Sequence, residues 1–268
     1  MAAVDATSKD VVAVGSIFPY LAADTASAIS ASFLVSPFIT IVDRSIMQNA
    51  SGAKNMGDSV KEGFRELILR PVTFVRRPEF LMIWGLYAAT YTAANFINTV
   101  CEDQGKDSRW PRFLGTTAVN MTACIAKDRA FTRMFGTTAP RGLPIATYAL
   151  FTVRDAGTIA ASFNLPEPAS AGLQASFGVD KARADFAAQM LCPAAVQFFS
   201  TPLHLLGLDL YNNPKSSAAA RAAFVAREYT KSVAARIGRI GPAFGVGGVG
   251  NTAFRKHFRG VVRDYRGV

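Results

Sequence analysis

The sequence is poor in charged residues, histidine and cysteine for its length. Charged residues make up 18% of its 268 residues, whereas soluble domains carry about 25%. Two histidines, His204 and His257, are too few for a histidine-based metal site or a catalytic triad. The three cysteines form no Cys-x-x-Cys pair, so the sequence implies neither a disulfide framework nor a zinc site. We therefore expect no metal, no cofactor and no catalytic residue, and we expect that the protein is not an enzyme.

The net charge of +10 raises the possibility of nucleic-acid binding. The basic residues are spread through the gaps between apolar segments, however, and no DNA- or RNA-binding motif is present. We therefore expect no nucleic-acid partner.

Residues 1–20 lack the charged head, short apolar core and cleavage site of a secretory signal.

What the sequence does contain is long apolar segments. Asp24 is the only charged residue between 21 and 42, and the segments 80–100 and 186–208 contain no Asp, Glu, Lys or Arg. Each is long enough to cross a bilayer, which takes about 20 apolar residues. A soluble helical bundle is the alternative, but uncharged helices of this length are hard to cover on all sides in a small one. Six segments are predicted to cross: 21–43, 80–100, 113–126, 142–163, 186–208 and 237–254.

An aspartate recurs at or near the end of the three odd-numbered segments. The intervals between these aspartates are 85 and 81 residues, which indicates three copies of one unit. The sequence thus predicts an all-α bundle of six transmembrane helices in a single membrane domain, 1–268, with repeats at about 15–105, 106–180 and 181–268. Residues 58–68 and 217–236 predict additional surface helices in the first and third repeats, because their apolar residues follow a helical period. The recurring residues are Asp43 with Arg44, Asp128 with Arg129, and Asp209.

Two charged residues and one glycine-rich segment are singled out inside the apolar regions. Arg154 and Asp155 interrupt the fourth segment, and charges at membrane depth either mark a solute path or pair between helices. Residues 245–250 match G-x-G-x-x-G, but the context lacks the strand and the later acid that a dinucleotide site needs. Close helix packing through Gly241 and Gly245 is the better interpretation.

These features resemble the mitochondrial carrier family, whose three repeats each contain an odd helix, a matrix helix and an even helix. Pro37 and Pro202 stand where the family's kinking prolines would be, and the three recurring aspartates lie near its gate positions. The spacing departs from the family pattern, since Pro37 precedes Asp43 by six residues rather than two. The second repeat has Thr122 in place of the proline, and no basic residue directly follows the third aspartate.

The resemblance implies a multi-pass protein of the mitochondrial inner membrane, with anionic phospholipid such as cardiolipin as a candidate ligand. The degraded gate pattern favours a structural or accessory subunit of a respiratory-chain or ATP synthase assembly, in contact with membrane lipid and other membrane subunits. The alternative is a solute carrier that exchanges a small anionic metabolite.

Overall fold

All regular secondary structure in the part of the chain that can be described is helical. The computed structural model describes residues 17–136, 142–163 and 165–266, which confirms the all-α class for these ranges. The α-helices in chain order are α1 Phe18–Ala50, α2 Met56–Leu69, α3 Pro71–Val75, α4 Pro78–Asp103, α5 Arg109–Phe135, α6 Ile145–Phe163, α7 Pro166–Phe177, α8 Lys181–Asn212, α9 Ala218–Gly238 and α10 Val249–Arg266, with a π-helical segment Gly241–Gly248 before α10.

Helix α1 lies at the centre of the bundle. It packs along α4 and α10, and it also contacts α2, α5, α8, α9 and the π-helical segment. Its buried face is built largely from Ala and Ser, whose small side chains let neighbouring helices approach closely. Ser27, Ser36 and Ser45 each donate a hydrogen bond to the carbonyl four residues earlier. These hydroxyls are therefore satisfied within α1 and need no polar partners from other helices.

The other helices follow one another around α1. Helix α4 packs on α5, α5 on α6, and α6 on α8, while α10 returns to α1. Helix α9 lies against α8 and also reaches α1. A hydrophobic core joins these elements and includes Val35, Ile83, Phe131, Phe151 and Leu205. The bundle thus brings side chains from helices far apart in sequence to one interior.

The membrane-protein character predicted from composition holds, but the six-helix repeat is not confirmed. Among the described helices, three are long and apolar enough to span a membrane: α1, α4 and α8. The third and fourth predicted crossings coincide with α5 and α6, which carry charged residues in their middle portions. The sixth predicted crossing covers the end of α9, the π-helical segment and the start of α10.

The connecting helices agree with the sequence in the first and third repeats and differ in the second. Helices α2 and α9 occupy the positions predicted for surface helices. Helix α7, by contrast, has no counterpart in the sequence analysis, which predicts no helix between the crossings 142–163 and 186–208. It packs on α8 and ends at Gly178, whose φ of +62° is the left-handed conformation that glycine adopts without strain.

Helix α9 is held to the end of α1 by a buried carboxylate. Asn49 on α1 donates a hydrogen bond of 2.5 Å to Glu228, which also accepts from Arg227 and Lys231 on α9 itself. Burial raises the pKa of Glu228, but the hydrogen bonds from Arg227, Asn49 and Lys231 together hold it below its ordinary value. The ionised side chain is therefore the form that secures α9.

Candidate functional site

A chain of buried ion pairs connects four elements of the bundle. Asp43 on α1 accepts from Lys127 Nζ on α5 at 2.7 Å and from Arg239 Nη1, just beyond α9, at 2.6 Å. Lys127 also pairs with the neighbouring Asp128 at 2.6 Å. Asp128 is only 1% exposed and binds Arg154 Nη2 on α6 at 2.5 Å. These five residues, together with Asp155 and His204, are called the Asp43 cluster below.

Arg154 is the most heavily engaged side chain in the Asp43 cluster. It is 4% exposed, and besides Asp128 it binds Asp155 through Nε and Nη2 at 2.7–2.8 Å. Its Nη1 lies 2.6 Å from His204 Nδ1 on α8, and its guanidinium stacks 4.7 Å from the Phe151 ring centroid. Because a guanidinium only donates, Nδ1 of His204 must accept, so the imidazole is neutral with its proton on Nε2. Arg154 thus joins α5, α6 and α8.

A second cluster of ion pairs lies at the opposite end of α1. Asp24 is 0% exposed and accepts from Arg255 Nε at 2.8 Å and Arg259 Nε at 3.2 Å, both on α10. Thr99 on α4 hydrogen-bonds to the same carboxylate, and Glu102 on α4 binds Arg259 at 2.9 Å. We call these five residues the Asp24 cluster. It joins α1, α4 and α10.

The remaining acidic and basic residues of the predicted repeat pattern pair outside the Asp43 cluster. Arg44, although adjacent to Asp43, binds Glu66 on α2 at 3.2 Å and lies 3.7 Å from Glu79 on α4. Asp209 binds Arg221 on α9 at 2.6 Å. The three recurring aspartates therefore do not form one ring, since only Asp43 and Asp128 are linked, through Lys127.

Arg129 and the two prolines take no part in either cluster. Arg129 is exposed, and Lys127, two residues earlier, is the cation that pairs with Asp128. Pro37 lies within α1, and Pro202 within α8. A proline inside a helix frees the carbonyl four residues before it, and for Pro202 that carbonyl, Phe198 O, accepts a hydrogen bond from Tyr229 on α9 at 3.0 Å. By freeing this carbonyl, Pro202 allows α8 to form a hydrogen bond with α9.

Among the glycines whose surroundings the structure describes, Gly247 makes the closest helix contact. Both Gly241 and Gly245 lie in the π-helical segment. A Cβ added to Gly241 would meet nothing within 4 Å, whereas one at Gly247 would collide with the Tyr91 hydroxyl and lie 3.1 Å from Val35 Cγ1. Gly247 is therefore where the π-helical segment approaches α1 and α4.

Most cationic members of the two clusters were missed from sequence alone. Asp24 was visible as a lone charge in an apolar segment, which is itself a signal of function. Lys127 stood beside a selected aspartate, but nothing in the sequence distinguished it from Arg129. Arg239 lies at the start of the sixth predicted crossing and Arg255 and Arg259 follow its end, and only the fold places them against buried carboxylates.

The chemistry available in these clusters is electrostatic. Within the described ranges, no group of three or more His, Cys, Asp or Glu side chains is arranged to hold a metal ion. The polar side chains instead form ion pairs between helices, and such pairs connect helices only while those helices remain together. The site thus holds the helices of the bundle together in this arrangement.

Comparison with known proteins identifies the family. A family model described as probable citrulline exporter matches residues 27–259, which is most of the chain and includes the whole Asp43 cluster. No curated protein and no solved structure gives a significant match.

The match corrects three expectations. Assignment to the mitochondrial carrier family is wrong, because recurring aspartates and prolines in apolar helices are not specific to that family. The accessory-subunit function is wrong, since the family description names a transporter. The respiratory-chain and ATP synthase associations are wrong for the same reason, and the mitochondrial inner-membrane location loses its support. The chain belongs to the probable citrulline exporter family.

Proposed function

We propose that this protein exports a small, polar, amino-acid-like solute, with citrulline as the first candidate, by alternating access between the Asp43 and Asp24 clusters. The substrate suggestion comes from the family description. The observation that carries the mechanism is that two interhelical ion-pair clusters lie at two levels of one bundle. The expectation of a solute carrier, which was the alternative in the sequence analysis, is thereby favoured over a structural role.

The separation of the clusters fits closures at the two sides of a membrane. Asp24 and Asp43 are both on α1, 19 residues apart, which corresponds to about 28 Å along a helix. The hydrocarbon core of a bilayer is about 30 Å thick. One cluster therefore lies near each boundary, and the apolar middle of α1 lies between them.

The paired charges also support a wider set of crossings than the three most apolar helices. Helices α5 and α6 carry Lys127, Asp128, Arg154 and Asp155, but these four side chains face one another inside the bundle. Charges within a membrane are tolerated when they are paired in the protein interior. We therefore include α5, α6 continued by α7, and the π-helical segment with the start of α10 among the crossings. Because the connections that contain α2 and α9 are basic, we assign the Asp43 end to the cytoplasmic side.

The two clusters provide the energy difference that alternation needs. A conformational equilibrium shifts only through interactions that differ between its states. Breaking the Asp43 cluster would separate α1 and α9 from α5 and α6, while the Asp24 cluster would keep α1, α4 and α10 together. The reverse exchange would open the other end. Each state thus retains one set of ion pairs while it loses the other.

Reconstituted transport tests this function. Purified protein in liposomes loaded with labelled citrulline should give efflux above that of protein-free liposomes. Asp128→Asn should reduce that efflux at least about tenfold, because it leaves Lys127 and Arg154 short of a buried carboxylate, and loss of one partner of a buried pair costs about 3–5 kcal/mol. Arg129→Gln, which removes an exposed charge from the same helix, is the matched control and should leave efflux unchanged. Citrulline efflux equal to that of empty liposomes would contradict the proposed substrate.

A further inference from the structure

Arg236, near the end of α9, is a buried cation without a carboxylate partner among the described residues. It is 4% exposed. Its Nε donates to Gln197 Oε1 at 2.9 Å, and its Nη2 donates to Ser200 Oγ at 3.2 Å, both on α8. Neutral partners compensate a buried charge poorly, and an uncompensated one is strongly unfavourable. Arg236 therefore differs from Lys127, Arg154 and Arg239, each of which binds an aspartate.

Two buried hydroxyls near Arg236 in sequence or on the facing helix lack a hydrogen-bond partner in the described part of the chain. Ser232 lies one turn earlier on the same face of α9, and Thr201 lies one turn after Gln197 on α8, the helix that packs against α9. Both residues are 0% exposed, and neither hydroxyl has a hydrogen-bond partner in the described part of the chain. These hydroxyls, one helical turn from Arg236 and from Gln197, could each donate to an additional acceptor.

The charge balance around Arg236 also indicates that an anion could bind there. Four buried or largely buried cations, Lys127, Arg154, Arg236 and Arg239, stand against three carboxylates, those of Asp43, Asp128 and Asp155. Burial, together with the neighbouring positive charges of Arg239 and Arg154, lowers the pKa of Arg236 to about 9. The side chain is still charged at neutral pH, so the described residues of this region carry one positive charge in excess.

We propose that Arg236, assisted by Gln197 and Ser200, binds the carboxylate of the transported solute. A guanidinium presents paired N–H groups that match both oxygens of a carboxylate. The solute carboxylate would give Arg236 the anionic partner that the other three cations already have, and it could accept from the unpartnered hydroxyls. Because Arg236 lies one turn before Arg239, its occupant adjoins the Asp43 cluster, whose opening admits it. This assignment rests on the proposed transport function and adds a recognition residue to it.

Ligand-dependent thermal stabilisation of the purified protein tests the proposal. A ligand that binds the folded state raises the unfolding temperature to an extent set by its concentration relative to Kd, so half-maximal concentrations can be compared. Citrulline should bind at least about tenfold more tightly than citrulline amide, in which the carboxylate is a neutral carboxamide. Arg236→Gln should remove this preference, and Arg236→Lys should retain part of it. Arg227→Gln, which changes an exposed arginine on the same helix, is the matched control and should keep the full preference.

The outcomes separate this proposal from the choice of citrulline. If Arg236→Gln keeps the preference for the carboxylate, Arg236 only ties α9 to α8 and the proposal is overturned, while citrulline transport stands. If acetate or succinate stabilises the protein through Arg236 but citrulline does not, the carboxylate site stands and citrulline is the wrong solute. If no carboxylate stabilises the wild-type protein, the site does not exist.

A footprint of the wild-type protein covers the case in which the variants fail to fold. Phenylglyoxal modifies accessible arginines, and peptide mass spectrometry reports each position separately. Citrulline or succinate should slow the modification of Arg236 at least about fivefold, whereas modification of Arg227 should be unaffected. Equal rates at Arg236 with and without these carboxylates would overturn the proposal.

Discussion

Replacement of Asp24 by asparagine probes the closure at one end of the bundle. The substitution keeps the size of the side chain and removes its charge. In the structure that carboxylate accepts from Arg255 and Arg259 on α10 and from Thr99 on α4. The amide oxygen can still accept from the two arginines, but it carries no charge, and the amide nitrogen cannot accept from Thr99. The Asp24 cluster should therefore hold α10 against α1 less strongly.

The expected magnitude follows from those two contacts. A hydrogen bond to a charged group contributes about 1.5–3 kcal/mol, and a neutral one about 0.5–1.5 kcal/mol. The loss is thus about 1 kcal/mol per arginine and about 2 kcal/mol in total, which shifts an equilibrium roughly 30-fold. Partial exposure of both arginines screens the interaction, so a shift of about tenfold is the smallest that this reasoning allows.

Cysteine accessibility measures the shift. Ser36 on α1 is fully buried between the two clusters, and Ser36→Cys replaces its hydroxyl with a thiol of similar size. The variant is made in a background in which Cys101, Cys124 and Cys192 are replaced by alanine. A membrane-impermeant maleimide applied from the Asp24 side should label the introduced thiol at least about tenfold faster when Asp24→Asn is present.

Two control measurements accompany the labelling experiment. Asp103→Asn removes an exposed charge at the end of α4 and should leave the labelling rate unchanged. The unfolding temperature in detergent should remain well above the labelling temperature for every variant. An unchanged labelling rate in a folded Asp24→Asn protein would show that the Asp24 cluster does not close this end, and the two-closure mechanism would fail.

Further substitutions test the packing and the pH dependence. Gly207→Ala should destabilise the protein by about 1–3 kcal/mol, because the new Cβ would lie 2.6 Å from Phe151 Cε1 on α6. Gly157→Ala, where nothing lies within 4 Å, should be neutral or stabilising, and equal melting shifts for the two variants would contradict this packing. Glu228 stabilises the fold as an anion, so Glu228→Gln should lower the melting temperature at pH 7, above the ordinary pKa of about 4.3. That difference should disappear as the pH falls through the lowered native pKa, and a difference that persists at pH 2–3 would show that the charge of Glu228 is not involved.

The sequence determined that this is an all-α membrane protein, and it determined the positions of most of its helices. Long apolar segments predict α1, α4 and α8 because a helix satisfies its own backbone hydrogen bonds and needs only an apolar exterior to lie in a membrane. The periodic apolar residues of α2 gave that helix for an equally local reason. Arg154 and Asp155 stood out because charges are costly in an apolar segment, whatever they contact.

Only the tertiary structure decided which charges meet. Asp43 lies next to Arg44 in the sequence, but it pairs with Lys127 and Arg239, 84 and 196 residues away. Arg44 and Asp209 belong to the same recurring acid-base pattern as Asp43. Arg44 nevertheless pairs with Glu66, and Asp209 pairs with Arg221. Arg236 and Arg227 are both arginines of α9, and only the packing of that helix on α8 buries one without a counter-ion and leaves the other exposed. An ion pair depends on distances across the bundle, and these follow from helix orientation and packing, which residue spacing along the chain does not record.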